Sequence, residues 1–384
     1  MDDIEKIKDY VIEQRRYIHE NPELSWKEFN TSKRIRQELD AMNIPYKIVK
    51  KTGVIGKISG VKSGKKLGIR ADIDALPVEE KTGLKYASKE KNVMHACGHD
   101  NHIAILLGTA KILNEIKDDL EGDIYLIFQP AEEYIQDSGA KYLSQIEEIK
   151  ELDRIIALHI WAELDKGKCA LREGPIMASA DTFDIYIKGK SAHAATPNLS
   201  IDPIIAGSQV VNALQTIVSR ENEPLDSQVL SITAFNSGNS KNTIPESAHL
   251  EGTVRAFNND LRDGFEAQIK RILDGVAIAT RTEIDLKFHW GTPSTINEKN
   301  ATNLGIKIAK EIFKDGFIPD FPLQMGGEDF AKYLITTPGC LLFLGGAGQA
   351  GKFAQHSENF QIDEDALILG IRYFVEYAKE FLKK

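Results

Sequence analysis

The sequence predicts an α/β protein: a doubly wound, mostly parallel sheet with a ferredoxin-like α+β domain inserted into it. Three observations carry this. Short apolar runs alternate with helical runs over the first 160 or so residues and again after residue 293. Between them the order changes to β-α-β-β-α-β. The length of 384 residues, at about 150 residues per domain, leaves room for two or three domains. The expected division is 1–181 with 293–384 for the first domain, and 182–292 for the second.

Taken in order, Ile4, Ile7, Val11 and Ile18 gather on one face of a first helix, which Asn21-Pro22 ends. A second helix covers 28–42. Strands follow at 56–59, 66–72, 123–129 and 154–160, with a helix over 102–116 between the second and third. Continuous apolar strands of this kind belong to a parallel sheet covered on both faces. Phe183 to Lys188 instead alternates apolar and polar residues, as a half-exposed strand does. A helix from Asp202-Pro203 to about 220, strands at 228–235 and 249–257, a helix over 260–280 and a strand at 283–290 complete the ferredoxin-like unit. Its two helices are expected on one face of a four-stranded antiparallel sheet. The first domain resumes with a helix at 301–313, a strand at 340–344 and a closing helix from about 364. The two linkers of an insertion are neighbours in space, so the insert can hinge over its parent's cleft.

Composition narrows the partners. With 48 Lys and Arg against 57 Asp and Glu the net charge is −9, so binding a nucleic-acid backbone releases no counterions to the chain's benefit. Three cysteines cannot build a disulfide framework and fit a reducing compartment. The N-terminal stretch lacks a basic region followed by an apolar run, and no apolar run approaches the ~20 residues a membrane span needs. A soluble cytoplasmic protein with neither nucleic-acid nor membrane partners is the expectation.

Chemistry concentrates at strand ends. His95, Cys97, His99 and His102 put three imidazoles and a thiol within one short run, and Gly98 lets Cys97 and His99 turn toward one point. Thiolate with imidazole suits zinc and its first-row neighbours. The apolar strand ending at Gln129 runs into Glu132-Glu133, at the edge where ligands bind in open α/β sheets. Those glutamates read equally well as the first turn of a helix after Pro130. His159 closes a third strand, and His356 lies on a loop after a fourth. Cys97, His99, Glu133, His159 and His356 together exceed one tetrahedral zinc and lack the spacing of a structural site. Two cations about 3.5–4 Å apart form a hydrolytic clamp, with Glu132 left uncoordinated as a base.

The chain resembles the amidohydrolase family of hippurate hydrolase, plant indole-acetyl-amino-acid hydrolases and bacterial N-acyl-amino-acid deacylases, a branch of the aminoacylase–carboxypeptidase superfamily of dinuclear metallohydrolases. The matching segments span nearly the whole chain. They are Arg15 to His19 with Pro22-Glu23-Leu24, Arg70 to Pro77, His95 to Asp100, Gln129 to Glu133, Leu158-His159, Ala192-His193-Ala194, Gly252 to Arg255, Gly326 to Phe330, and His356. The resemblance implies Cys97, His99, Glu133, His159 and His356 as ligands of two divalent ions (Mn, Zn, Co or Ni), Glu132 as general base and Asp72 as a carboxylate orienting the site. It further implies that His193 polarises the scissile carbonyl, from its own or a neighbouring subunit. Asn242 and Arg255 are candidates for the substrate carboxylate, since a guanidinium fork matches one. Read from residues alone, His193 is an exposed turn residue and Arg255 equally a surface strand charge. The wider superfamily usually has a His two residues before the orienting Asp and a bridging Asp between the metals. Here Arg70 holds the first place and a cysteine-histidine pair marks the second region, which opens the site to oxidation.

The implied reaction is metal-assisted hydrolysis of an N-acyl amino acid, with N-acetyl or aroyl acyl groups, by a homodimer or homotetramer joined through a lid domain. A dipeptidase or carboxypeptidase using the same site is the alternative, and a non-catalytic metal-binding scaffold the third. Two motifs are set aside. Gly346 to Gly351 fits G-x-G-x-x-G, but no apolar helical period follows it. Gly60 to Lys66 lacks the spacing and hydroxyl of a phosphate loop.

Overall fold

In the computed structural model, which describes residues 3–348 and 351–383, the chain falls into two compact units. The first comprises Met1–Gly174, Ile296–Pro322 and Asp329–Lys384. Its main sheet runs in the order Tyr46–Val49, Gly53–Ser59, Asp123–Gln129, Lys66–Asp72, Arg154–Asp165, Gly339–Ala347, Cys169–Ala170, Phe317–Ile318. The four strands from Asp123–Gln129 to Gly339–Ala347 are mutually parallel, and antiparallel pairs flank them. Both faces of these strands are buried. Leu126, Phe128, Ile156 and Leu158 join the core with the long helices, and the alternate residues Ile127, Ile155 and Ala157 are equally closed to solvent. That accounts for the unbroken apolar runs in the sequence.

The helix His99–Glu115 is buried nearly all round, which its low amphipathicity requires. Ile103, Leu106 and Leu107 are fully covered, each worth roughly 1.5–3 kcal/mol of burial. Helices Lys8–Glu20 and Ala366–Phe381 pack against it. Gly108 makes that close approach possible, because a Cβ there would lie 2.6 Å from Ile371 Cδ1 and 2.9 Å from Val11 Cγ2.

Two boundaries differ usefully from the sequence reading. The strand expected at 154–160 continues to Asp165, and the helix expected from 102 begins at His99. Gly98 adopts φ 93°, a left-handed conformation that lets the helix start directly after it. The short strands Tyr46–Val49, Cys169–Ala170 and Phe317–Ile318 escaped the sequence reading, being two to four residues long with no apolar period. Of the G-x-G-x-x-G segment, Gln349 and Ala350 lie outside the described residues, and no helix forms over 352–360.

The second unit comprises Pro175–Thr295 and Leu323–Glu328. Its four-stranded antiparallel sheet runs Gln228–Ser237, Ser247–Ala256, Ala180–Lys188, Glu283–Thr292. Numbered along the chain that is 2-3-1-4, the ferredoxin-like order. Helices Pro203–Thr216 and Asn259–Thr280 cover one face, where Phe183, Ile185, Ile187 and Leu250 meet Val210, Leu214, Phe265 and Ile269. Asp202 caps the first helix by accepting from the Ile204 and Ile205 N–H groups at 2.9 and 3.3 Å.

Candidate metal centre

In the first unit the sheet order turns about Lys66–Asp72, with Asp123–Gln129 on one side and Arg154–Asp165 on the other. Such a switch point opens a crevice at the C-terminal strand ends. Asp72 ends the middle strand, Gln129 leads into Glu132-Glu133, and His159 lies two residues past the last pairing with Lys66–Asp72.

Each candidate donor is held by its backbone surroundings. His99 Nδ1 donates to the Asp74 carbonyl at 2.9 Å, which turns Nε2 into the crevice. His159 Nδ1 donates to the Ile160 carbonyl at 2.8 Å, and its Nε2 lies 3.4 Å from Cys97 Sγ. Fixing one ring nitrogen in this way leaves the other as a lone-pair donor. The ligand atoms of Cys97, His99 and His159 lie within 4.8 Å of one another, as do those of Cys97, Glu133 and His356. Cys97 is common to both groups. His99 Nε2 and Glu133 Oε1 are buried without a hydrogen-bond partner. A buried polar atom left unmade costs about 1–3 kcal/mol, so the donor set fits a divalent cation that would satisfy these atoms.

A polar frame surrounds the donors. The Asp74 carboxylate accepts the peptide N–H groups of Glu132 and Glu133 at 3.0 Å each and the Ser25 hydroxyl at 2.7 Å. Ala131 takes φ 54°, and its N–H is held by Glu28 Oε1 at 2.9 Å. Asp72 accepts from Arg70 Nη1 at 2.7 Å and from His102 Nδ1 at 2.5 Å. His102 Nε2 in turn accepts the Ile160 N–H at 2.9 Å, so that ring is neutral with its proton on Nδ1. Behind the helix start, buried Asp100 accepts from Arg15 Nε at 2.8 Å and from His19 Nδ1 at 2.9 Å.

The protonation states follow. Burial disfavours charge on His99, yet the Asp72, Asp74 and Glu133 carboxylates outweigh it and raise the imidazole to about 10. Burial, reinforced by nearby Asp74 and Asp72, lifts Glu133 above the usual carboxylate range. Burial holds His159 well below the ordinary histidine value. Without a cation the centre therefore retains protons that ligation must displace.

Of the other candidates, Glu132 is buried with Oε2 4.0 Å from His99 Nε2, beside the donors but in neither Cys97 group. His193, Asn242 and Arg255 belong to the second unit. His193 pairs with Thr243, which brings it beside Asn242, whose carbonyl accepts the Ala194 N–H at 2.9 Å. The Ala195 N–H donates to His193 Nδ1 at 3.1 Å, leaving the ring proton on Nε2. Arg255 sits on Ser247–Ala256 and donates to the Val254 carbonyl at 3.0 Å. On the same sheet Asp184 accepts from His249 and His289 at 2.7 and 2.9 Å. This second donor cluster is a quarter to nearly half exposed and its imidazoles already have a carboxylate partner, so it lacks the orphaned atoms of the first.

Sequence reasoning assigned no role to Asp74, His102 or Asp329. Asp74 and Asp329 stood inside matched segments, and His102 lies one helical turn after His99; those were the available signals.

Residues 68–380 match Peptidase family M20/M25/M40. Thermostable carboxypeptidase 1 of Saccharolobus solfataricus is 38% identical over 100% of this chain and 98% of its own length. N-acetyl-L-cysteine deacetylase of Bacillus subtilis is 41% identical over 96% of this chain and 87% of its own. Among solved structures, the Bacillus subtilis YXEP protein, a dinuclear metal binding peptidase from the M20 family, superposes with a TM-score of 0.85 at 37% identity, covering 98% of this chain and 99% of that one.

Proposed function

The chain belongs to peptidase family M20/M25/M40, and on that premise we propose that it is a metal-dependent amidohydrolase that cleaves N-acyl amino acids to a carboxylic acid and a free amino acid. The observation that carries this is the pair of donor groups sharing Cys97, with His99 Nε2 and Glu133 Oε1 unsatisfied and Glu132 beside them. Cys97, His99, Glu133, His159 and His356 would hold two divalent cations, drawn from Mn, Zn, Co and Ni. When bound, such ions supply Lewis acidity toward the amide carbonyl and toward water.

The chain's own groups do the rest. Glu132 takes a proton from the attacking water and hands it to the amine nitrogen as the C–N bond breaks. Asp72 holds its charge against Arg70 and His102 and orients the site. His193, with its proton on Nε2, donates to the scissile carbonyl oxygen from its own or a partner subunit. Asn242 and Arg255 receive the substrate carboxylate. Residues 182–292 act as lid and dimerisation domain of a homodimer or homotetramer, a reading supported by exposed Ile205, Leu225 and Ile278 in the second unit. Among the described residues no helix is long and apolar enough to cross a membrane. Three cysteines outside any disulfide support a cytoplasmic location.

Glu132→Gln is expected to keep its metal and lose about 10²- to 10⁴-fold in turnover. Near-normal turnover with confirmed metal content removes Glu132 from the role. The relative named as a carboxypeptidase favours a second reading on the same site. A panel of N-acetyl and aroyl amino acids against dipeptides, run across a metal-reconstitution series, separates the two.

A further inference from the structure

We propose that Arg70 and Asp329 are positioning residues for Glu132, a role that rests on the reading of Glu132 as the base. Arg70 stands two residues before Asp72, where the wider superfamily usually has a His. A guanidinium stays charged and has no acceptor site, so it cannot bind a cation. Burying it beside a metal centre demands compensating carboxylates, and the structure supplies two. Nη1 donates to Asp72 at 2.7 Å and Nη2 to Asp329 at 2.7 Å, while Nε donates to Gln129 Oε1 at 3.0 Å. Arg70, Asp72, Gln129 and Asp329 are all buried.

Asp329 is over-determined by its neighbours. Besides Arg70 it accepts from Gln129 Nε2 at 2.7 and 2.9 Å and from the Ala140 N–H at 3.3 Å. The side chain is thereby pinned to the ends of the Lys66–Asp72 and Asp123–Gln129 strands. Its backbone then reaches the base: the Asp329 N–H donates to Glu132 Oε1 at 3.3 Å. One oxygen of Glu132 is held there, and the other, Oε2, faces His99 Nε2 at 4.0 Å. A carboxylate fixed through one oxygen keeps the second aimed at the reacting proton, which is the orientation a base needs. The arginine thus acts as a strut between the two carboxylates. It neutralises part of the charge of Asp72 and Asp329 and, through Asp329, sets the angle of Glu132.

The test compares Asp329→Asn, Arg70→Lys, Glu132→Gln and the Asp329→Asn/Glu132→Gln double variant in the metal-loaded full chain. Metal content, melting temperature, kcat and KM are measured on the best N-acyl amino acid. The Asp329→Asn change keeps the backbone N–H but presents an amide donor toward the Gln129 amide and the Ala140 N–H. It is expected to lower kcat about 10- to 100-fold, with KM and metal content near wild type. The Arg70→Lys change keeps the charge but not the fork, so a smaller loss in kcat is expected, again with KM unmoved. In the Glu132→Gln background Asp329→Asn should cost less than about twofold more, because residues acting as one unit are non-additive. Wild-type kcat in both Asp329→Asn and Arg70→Lys overturns the proposal, as does an undiminished loss on top of Glu132→Gln. If Asp329→Asn fails to fold, Arg70→Lys decides alone: a lower kcat at constant KM supports the proposal, and an unchanged kcat overturns it. An active Glu132→Gln sinks the base assignment itself, which keeps the two failures apart.

Discussion

Replacing Gly98 by alanine strikes the turn that aims both Cys97 and His99. Gly98 has φ 93°, where a side chain costs about 1–2 kcal/mol. An alanine Cβ would also lie 2.3 Å from Ile160 Cγ2 and 3.1 Å from Phe360 Cζ. Overpacking of that kind costs about 1–3 kcal/mol. The sum, about 2–5 kcal/mol, corresponds to a fall in melting temperature of roughly 4–20 °C for a unit of this size. Ile160 cannot yield quietly. Its N–H is held by His102 Nε2 at 2.9 Å, and its carbonyl accepts from His159 Nδ1 at 2.8 Å and Gln355 Nε2 at 2.7 Å. Displacing Ile160 therefore displaces His159 and the imidazole that braces Asp72, and cation affinity should fall about 10- to 100-fold. Calorimetric melting and elemental analysis after dialysis read both effects. Ile160→Ala removes the clashing methyl, so the double variant should melt higher than the summed losses predict. Wild-type melting and metal content in Gly98→Ala, or strict additivity in the double variant, would refute the reasoning.

Asp100→Asn leaves buried Arg15 short of a charge partner and should cost about 3–5 kcal/mol at neutral pH. Burial opposes ionisation of Asp100, but Arg15 and His19 hold its carboxyl below the ordinary range. The pair's contribution is therefore complete above the unfolded value near ~3.9 and is lost as pH falls toward the lower folded value. The gap between wild type and variant should hold from pH 7 to about pH 4 and begin to narrow only below it, in melts taken down to pH 3, and a gap that stays constant to pH 3 would contradict the assignment. Cation binding should release protons, because His99 sits at about 10 and Glu133 above the usual carboxylate range before ligation. Affinity should rise with pH through neutrality, and titration calorimetry in buffers of different ionisation enthalpy should detect at least one proton leaving. Binding with no proton release would count against ligation by His99.

Part of the candidate site could be placed from the sequence because several of its residues stand at strand ends. Asp72 ends its strand, Glu132-Glu133 lie just past the end of Asp123–Gln129, and His159 follows the apolar run Ile155 to Leu158; a parallel sheet gathers such positions at one edge. The ferredoxin-like unit was legible for a related reason: alternation in Phe183 to Lys188 reports one covered face, and Phe183, Ile185 and Ile187 are the buried residues on it. What stayed hidden are contacts made across long sequence separations by residues with several possible partners. Asp74 reads as one more acidic residue after a strand, yet it holds two peptide groups 58 and 59 residues away. Nothing in the spacing of Arg70 and Asp329, 259 residues apart, announces their ion pair.

The way the donors are anchored decides how the centre will tolerate change. His99 and His159 are fixed by carbonyls of Asp74 and Ile160, His356 by its own N–H on the Ala96 carbonyl at 2.7 Å, and the glutamates by peptide N–H groups on Asp74. Two of the candidate ligand atoms carry little of the fold: His99 Nε2 and Glu133 Oε1 have no hydrogen-bond partner. Removing either atom is therefore expected to weaken cation binding while leaving the frame's hydrogen bonds in place. Removing a frame group such as Asp74 strands buried peptide N–H groups at about 1–3 kcal/mol each and moves several donors together. Function and stability are thus written in different atoms of one crevice. Glu132 spans both sets, with its N–H on Asp74 and one carboxylate oxygen on the Asp329 N–H, leaving the other to face the donors.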